Sequence, residues 1–392
     1  MSGLLDALRE TCGAVRWQGA APTALAALDD DGFPREALRR FLRQGQRPLL
    51  LVNDAARVIH CGLPQLLHEL RGGCPTLEVL VATGTHTADA AAEAARLGCE
   101  VQVHDAQDEP AHVEVGAFRV DARLLQASAV VAFGSVEPHY FAGWTGAHKT
   151  ASVGVWDWAT TAANHRHAMQ PEARPLVASD QNPVAAGIRQ GVRACMAQGP
   201  PLLAVNHVLD AHGVPLAVGW GDPFEALGAV LPQAEARGAH TCASPVDVVV
   251  ARVEGPLGRS LYQADKGIKN HEGVLKDGGL LVLEAELSDG VGQDRFLRLL
   301  EQAPDAEAAR ARITAEGYRL GDHKALRWRL LEARGVRIVI ASPQLDPEAV
   351  RAAGIEVAPS VEAALAGAEF PLDAIGLAVE DAGFVASRVV TG

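Results

Sequence analysis

The chain has 392 residues, 48% of them hydrophobic, with 39 glycines and a formal charge of −13. This is the composition of an ordinary globular protein with a sizeable core, and its length suggests two domains. The acidic balance argues against nucleic-acid binding, which needs a basic face, so any anionic ligand must be held by local groups.

No run approaches the roughly 18 apolar residues of a membrane span, and Met1 opens a polar segment without a basic n-region or an apolar h-region. A cytoplasmic enzyme with neither membrane nor nucleic-acid partner is expected. The six cysteines (Cys12, Cys61, Cys74, Cys99, Cys195, Cys242) contain no C-x-x-C pair, which supports neither a structural zinc site nor a disulfide framework.

In chain order, short apolar runs bounded by turn residues recur at 49–52, 77–82, 129–133, 202–205, 246–250, 280–283, 336–340 and 375–379. Between several of them lie Ala- and Leu-rich stretches with helical spacing, among them 63–70, 88–97 and 346–353, the last followed by Gly354. Such alternation predicts an α/β fold of two Rossmann-like domains with mainly parallel sheets and an active-site cleft between them. The stretch PQAEARGAHTCASP at 232–245 is the expected boundary, dividing an N-terminal domain over 1–240 from a C-terminal domain over 241–370. Residues 371–392 carry one further strand-like run and are a candidate to rejoin the first domain.

Ligands of open α/β sheets bind beyond the C-terminal ends of the strands, so residues there are the candidates for chemistry. After PLLLVN comes Asp54-Ala55-Ala56-Arg57, whose carboxylate can orient a guanidinium fork suited to a carboxylate or phosphate. Alone, the pair reads equally well as a surface ion pair. After LEVLVA comes Thr83-Gly84-Thr85-His86-Thr87. Gly84 lets backbone approach a ligand, exposed amides can take a phosphate, Thr87 is expected to cap the next helix, and His86 can act as acid or base.

After AVVAF the chain reads EPHYFAGWTGAHKTASVGVWDWATTAANH over 137–165, dense in titratable groups. Glu137 and His139 fall just past the strand. Lys149 follows on a glycine-rich loop; it is either a solvated loop lysine or an amine that pairs with phosphate or, if desolvated, forms a covalent bond. His165 is a candidate metal ligand or part of a solvated helix face, with no complete zinc or iron set around it. In the second half, Tyr262-Gln263-Ala264-Asp265-Lys266 sets Gln263 and Lys266 three residues apart on one helix face, turned either to solvent or to the cleft. No G-x-G-x-x-G or G-x-x-x-x-G-K-[ST] occurs in the context those motifs need, which disfavours a nicotinamide or P-loop enzyme.

Together D-x-x-R at 54–57, GTH at 84–86, EPHYFAG at 137–143, Lys149, NH at 164–165 and LYQADK at 261–266 resemble, in order and over nearly the whole chain, the lactate racemase family of nickel-pincer nucleotide enzymes. The resemblance implies two α/β domains with the cofactor between them: a pyridinium-3-thioamide-5-thiocarboxylic acid mononucleotide holding nickel. Lys149 matches the lysine joined to it through a thioamide, and His165 matches the direct nickel ligand. Asp54, Gly84 and Thr85 fall among the cofactor-binding positions. His86 and His139 match the two acid/base histidines, and Arg57, Tyr262, Gln263 and Lys266 match substrate-binding groups. Trp328, after Gly321-Asp322-His323-Lys324-Ala325, is a weaker match to an aromatic site residue, and His148 stays unassigned.

The implied reaction inverts C2 of a 2-hydroxy acid by transient hydride transfer to the cofactor, with one histidine serving each enantiomer. The implied partners are a small 2-hydroxycarboxylate and the cofactor-synthesis enzymes. Two departures are visible: Val153-Gly154 where relatives commonly have Pro-Gly, and no threonine before Arg57. Two other readings make different predictions. A cofactor-free small-anion-binding protein predicts stabilisation by ligand without turnover, and a zinc hydrolase lacks an acidic metal ligand at suitable spacing.

Overall fold

The computed structural model describes residues 3–13, 15–177 and 180–390; Thr391 and Gly392, the end of the segment expected to rejoin the first domain, lie outside them. In chain order the main strands are β1 (Arg16–Ala20), β2 (Pro48–Asn53), β3 (Glu78–Ala82), β4 (Gln102–Val103), β5 (Ala129–Ser135), β6 (Leu202–Leu209), β7 (Pro215–Gly221), β8 (Val246–Val253), β9 (Leu275–Ala285), β10 (Arg337–Ala341), β11 (Glu356–Ala358) and β12 (Ile375–Val379). The helices that bear on the site are α1 (Leu63–Gly73), α2 (Ala90–Leu97), α3 (Trp158–His165), α4 (Leu261–His271) and α5 (Asp322–Ala333).

The strands form two six-stranded sheets, ordered β7-β6-β5-β2-β3-β4 and β1-β12-β8-β9-β10-β11. Only β7 runs antiparallel to its neighbour. All eight apolar runs are strands, because a parallel sheet covered on both faces needs continuous rather than alternating hydrophobicity. Leu50, Leu51 and Val52 of β2 and Val248, Val249 and Val250 of β8 have no exposed surface. Helices cover both faces, so each sheet sits between two apolar layers.

The chain runs β2, β3, β4 in one direction and then returns to the other side of β2 for β5. Strand order therefore reverses between β2 and β5, which opens a crevice at their C-terminal ends. The second sheet reverses likewise between β8 and β12.

Three expectations change. Sheet membership does not follow a division at 240/241 at either end of the chain. β1, near the start, is an edge of the second sheet, and β12 lies between it and β8 rather than rejoining the first sheet. β12 is apolar along most of its length (IGLAV) and suits a sheet interior, whereas β1 (RWQGA) alternates in burial and suits an edge. Within the boundary stretch 232–245, Pro232 lies inside the helix Pro223–Gly238, and Ala239–Cys242 is a strand paired with Ala386–Val389. Finally, α2 is capped by Asp89, whose carboxylate accepts from the Ala92 amide at 2.7 Å, so Thr87 is not the cap. No helix among the described residues is long and apolar enough to cross a membrane.

Candidate active site

One cleft collects the strand ends of the first sheet and the N-terminal turns of α4 and α5. Asp54, Arg57, Gly84, Thr85, His86, His139, Lys149, His165, Tyr262, Gln263 and Lys266 all line it. Residues 208 positions apart in sequence are thus brought together because β2 and β5 are neighbours at the switch point and α4 faces them.

The D-x-x-R stretch leaves β2, but its carboxylate does not orient its own arginine. Asp54 Oδ2 lies 3.0 Å from His86 Nδ1, while Arg57 Nη1 donates to Glu137 Oε1 at 3.1 Å. Each strand end thus braces its neighbour: β2 steadies the β3 histidine, and the arginine after β2 is steadied by the acid after β5. Glu137 also accepts from Ser135 Oγ at 3.2 Å. His86 is the most exposed of these groups, with 44% of its side chain accessible.

Gly84 takes a left-handed φ of 60°, and its amide donates to the Gly154 carbonyl at 3.0 Å. A Cβ on Gly154 would come within 2.9 Å of the Ala82 side chain, so glycine is needed there. Val153, where relatives commonly have proline, heads the same turn, Val153–Val155. Below the loop, Thr83 Oγ1 donates to the His104 carbonyl at 2.8 Å, which ties the β3 end to the strand beyond it.

His139 is buried in the short hairpin Pro138–His139 with Gly143–Trp144. Its Nε2 lies 2.9 Å from Lys149 Nζ, on the one-turn helix Ala147–Thr150, and its Nδ1 has no partner among the described residues. Burial, reinforced by Lys149 and Arg57, holds His139 well below the ordinary histidine value. Burial, reinforced by Arg57 and Lys266, likewise pushes Lys149 well below the usual amine value against the opposing pull of Glu137 and Asp54. Desolvation thus favours the uncharged form of both partners in this hydrogen bond.

His165 ends α3 with its ring edge-on to Phe141, 4.9 Å between centroids. Burial, with Lys149 nearby, lowers it to about 3 against the opposing effect of the Thr161 backbone, so it stays an unprotonated imidazole. On the opposite wall, burial together with Arg57 and Lys324 brings Lys266 down to about 7, with no carboxylate bonded to it.

Several cleft residues carried no functional reading in the sequence. His323 is buried between Tyr318, 2.7 Å from Nδ1 to the hydroxyl, and Tyr140, 3.4 Å from Nε2. Lys324 Nζ donates to the Tyr262 carbonyl at 2.6 Å and to Asp265 Oδ2 at 3.3 Å, over the rings of Tyr140 and Tyr262. The only sequence signal was the GDHKA run. Trp328 lies four residues beyond Lys324 but is core: it packs edge-on to Phe296, donates to Glu332 and does not line the cleft. His148 faces inward next to the cleft, buried and lowered by that burial to about 3.

Fold and cleft together define an α/β protein whose cleft gathers histidines, lysines and an arginine at the strand ends of its first sheet. Residues 25–175 match the lactate racemase N-terminal domain, and residues 241–375 match the lactate racemase C-terminal domain. The chain belongs to the lactate racemase family and is an isomerase. It is 27% identical over 299 residues to the lactate racemase of Thermoanaerobacterium thermosaccharolyticum, a match covering 70% of this chain and 68% of the relative. To the lactate racemase of Lactiplantibacillus plantarum it is 25% identical over 296 residues, with the same coverage of 70% and 68%. The fold superposes on the apoprotein structure of the Thermoanaerobacterium enzyme with a TM-score of 0.81 at 22% identity, over 95% of both chains. A Thermotoga maritima protein superposes with a TM-score of 0.71 at 14% identity, over 94% of this chain and 100% of that one.

Proposed function

We propose that this protein is a racemase or epimerase that inverts C2 of a small 2-hydroxycarboxylate with a nickel-pincer nucleotide attached to Lys149. The observation that carries this reading is the Lys149–His139 pair, a desolvated amine with no carboxylate bonded to it. Desolvation that favours the neutral amine favours the nucleophilic form needed for covalent attachment.

The donor chemistry of the cleft fits such a group. His165 is an unprotonated imidazole, and no group of three or more His, Cys, Asp or Glu among the described residues is placed to hold a metal. A metal ion on His165 would therefore take its other donors from a bound molecule. Asp54, Gly84 and Thr85 are assigned to the cradle of that molecule. When bound, the group supplies nickel and a hydride acceptor, so the C2 hydrogen can leave without building a dianion from a carboxylate.

The remaining duties fall to the chain. Arg57, steadied by Glu137, and Lys266, with no bonded acid, receive the substrate carboxylate, with Tyr262 and Gln263 beside them. His86, oriented through Nδ1 by Asp54, takes or returns the hydroxyl proton of one enantiomer. His139, neutral by burial, does so for the other. Inversion by two opposed bases needs one to be unprotonated, to accept the hydroxyl proton, while the other carries the proton it returns to the product.

The test is chiral chromatography of a 2-hydroxy acid panel, from lactate and malate to aromatic members, with protein co-expressed in the cytoplasm with the cofactor-synthesis enzymes. Interconversion of at least one pair is expected. A nickel-loaded protein with a mass increment on Lys149 that interconverts none overturns the reading, and stabilisation by these acids without turnover points to a small-anion-binding protein.

A further inference from the structure

α4 and α5 each serve two surfaces. Their N-terminal turns face the cleft, while their C-terminal turns line a separate groove of about 660 Å³, closed on its other side by the segment after His165. In a chain of net charge −13 this groove is basic, with Arg174, Lys269, Arg310, Arg327, Arg334 and Arg388 set against one acid, Glu272.

Two details separate it from a solvated cluster. Lys269, whose side chain is wholly buried, and Arg327 share the single Glu272 carboxylate, which leaves one positive charge in excess where water is scarce. A desolvated charge without a counter-charge is costly, so the site favours an anion. Asn270, 1% exposed, donates through Nδ2 to the Ala382 carbonyl at 3.0 Å, while its Oδ1 has no partner among the described residues. An orphaned buried acceptor calls for a donor such as a hydroxyl. At the rim, Arg334 and Arg388 are engaged by Asp277 and Glu235, but Arg174 and Arg310 have no ion-pair partner among the described residues. Their guanidinium forks suit phosphate geometry.

We propose that this groove binds a phosphorylated, hydroxyl-bearing small molecule, a nucleotide or sugar phosphate, with its phosphate on Arg174 and Arg310 above the Lys269–Glu272–Arg327 cluster and a hydroxyl donating to Asn270. Arg327 also donates to the Ala173 carbonyl at 2.6 Å, which ties the segment that follows His165 to α5.

Calorimetric titration of the full chain with ADP and with inorganic pyrophosphate tests this. ADP is expected to bind saturably, more tightly than pyrophosphate, and progressively more weakly as salt is raised. In the variant Arg174→Ala/Arg310→Ala, loss of charge-assisted hydrogen bonds should weaken ADP binding about tenfold or more, while racemisation without ADP and the melting temperature stay unchanged. No saturable ADP binding, equal binding by the double variant, or pyrophosphate binding as tightly as ADP each overturns the proposal.

Discussion

Lys149 and Lys324 line opposite walls of one cleft and are both lowered by burial, but they differ in the groups that contact them. Lys149 has a histidine nitrogen at 2.9 Å, and the carboxylates of Glu137 and Asp54 act on it only from farther off. Lys324 is equally desolvated, but Asp265, the Tyr262 carbonyl and two aromatic faces contact its ammonium directly and oppose the effect of burial. A directly bonded acid opposes the effect of burial on a lysine, and where that acid is withheld burial meets less opposition.

The largest expected effect breaks the first half of this contrast. Lys149→Ala should abolish covalent cofactor retention and all turnover, read by intact mass and nickel content after co-expression with the cofactor-synthesis enzymes. A mass increment that survives the substitution would remove Lys149 from its role. Next, His86→Gln and His139→Gln should each lower kcat by about 10²- to 10⁴-fold with nickel still bound, the usual range for losing a positioned acid or base. Undiminished racemisation in both would sink the two-base assignment.

The two lysines can then be compared by stability. Lys324→Met strands Asp265, which is already missing a partner on Oδ1, as an uncompensated buried charge; a cost of about 3–5 kcal/mol is expected in urea unfolding. Lys149→Met strands no bonded carboxylate and should leave the apoprotein as stable or more so. Equal losses for the two would erase the distinction.

The smallest effect concerns pH. Burial holds His104 to about 4 and His148 and His271 to about 3 in the folded protein. As pH falls through about 6.5 the unfolded chain takes up protons that the folded chain refuses, so stability is full above that pH and declines towards pH 4. Each such histidine adds a slope of about 1.4 kcal/mol per pH unit, and His148→Phe should remove one such increment from the pH dependence of unfolding. A profile identical to that of the parent protein would show that His148 does not carry the difference.

Much of the fold was legible because its signals are local. A run such as LLLV or VVAF is apolar whatever surrounds it, and the residues just past such runs fall in a crevice whenever the strands are parallel. Pairings were not legible. Asp54 had an arginine three residues away and a histidine 32 residues away, and it took the histidine because β2 and β3 are adjacent. β1 has no apolar run, and its place beside β12 depends on a strand more than 350 residues later. His323 and Lys324 sit on a helix without a clear polar face, so their burial in the cleft left no periodic trace.

The amino-acid sequence by itself determined the eight apolar strands, the parallel α/β class, the family and the inventory of reactive groups at 54–57, 84–86, 137–165 and 261–266, since each is carried by short runs of neighbouring residues. Tertiary structure alone decided which carboxylate serves which base, that Lys149 meets His139 rather than an acid, that Trp328 belongs to the core, and that α4 and α5 carry a basic groove beyond the cleft. Those outcomes depend on distance, desolvation and charge between groups far apart in the chain, and these quantities exist only once the two sheets have packed.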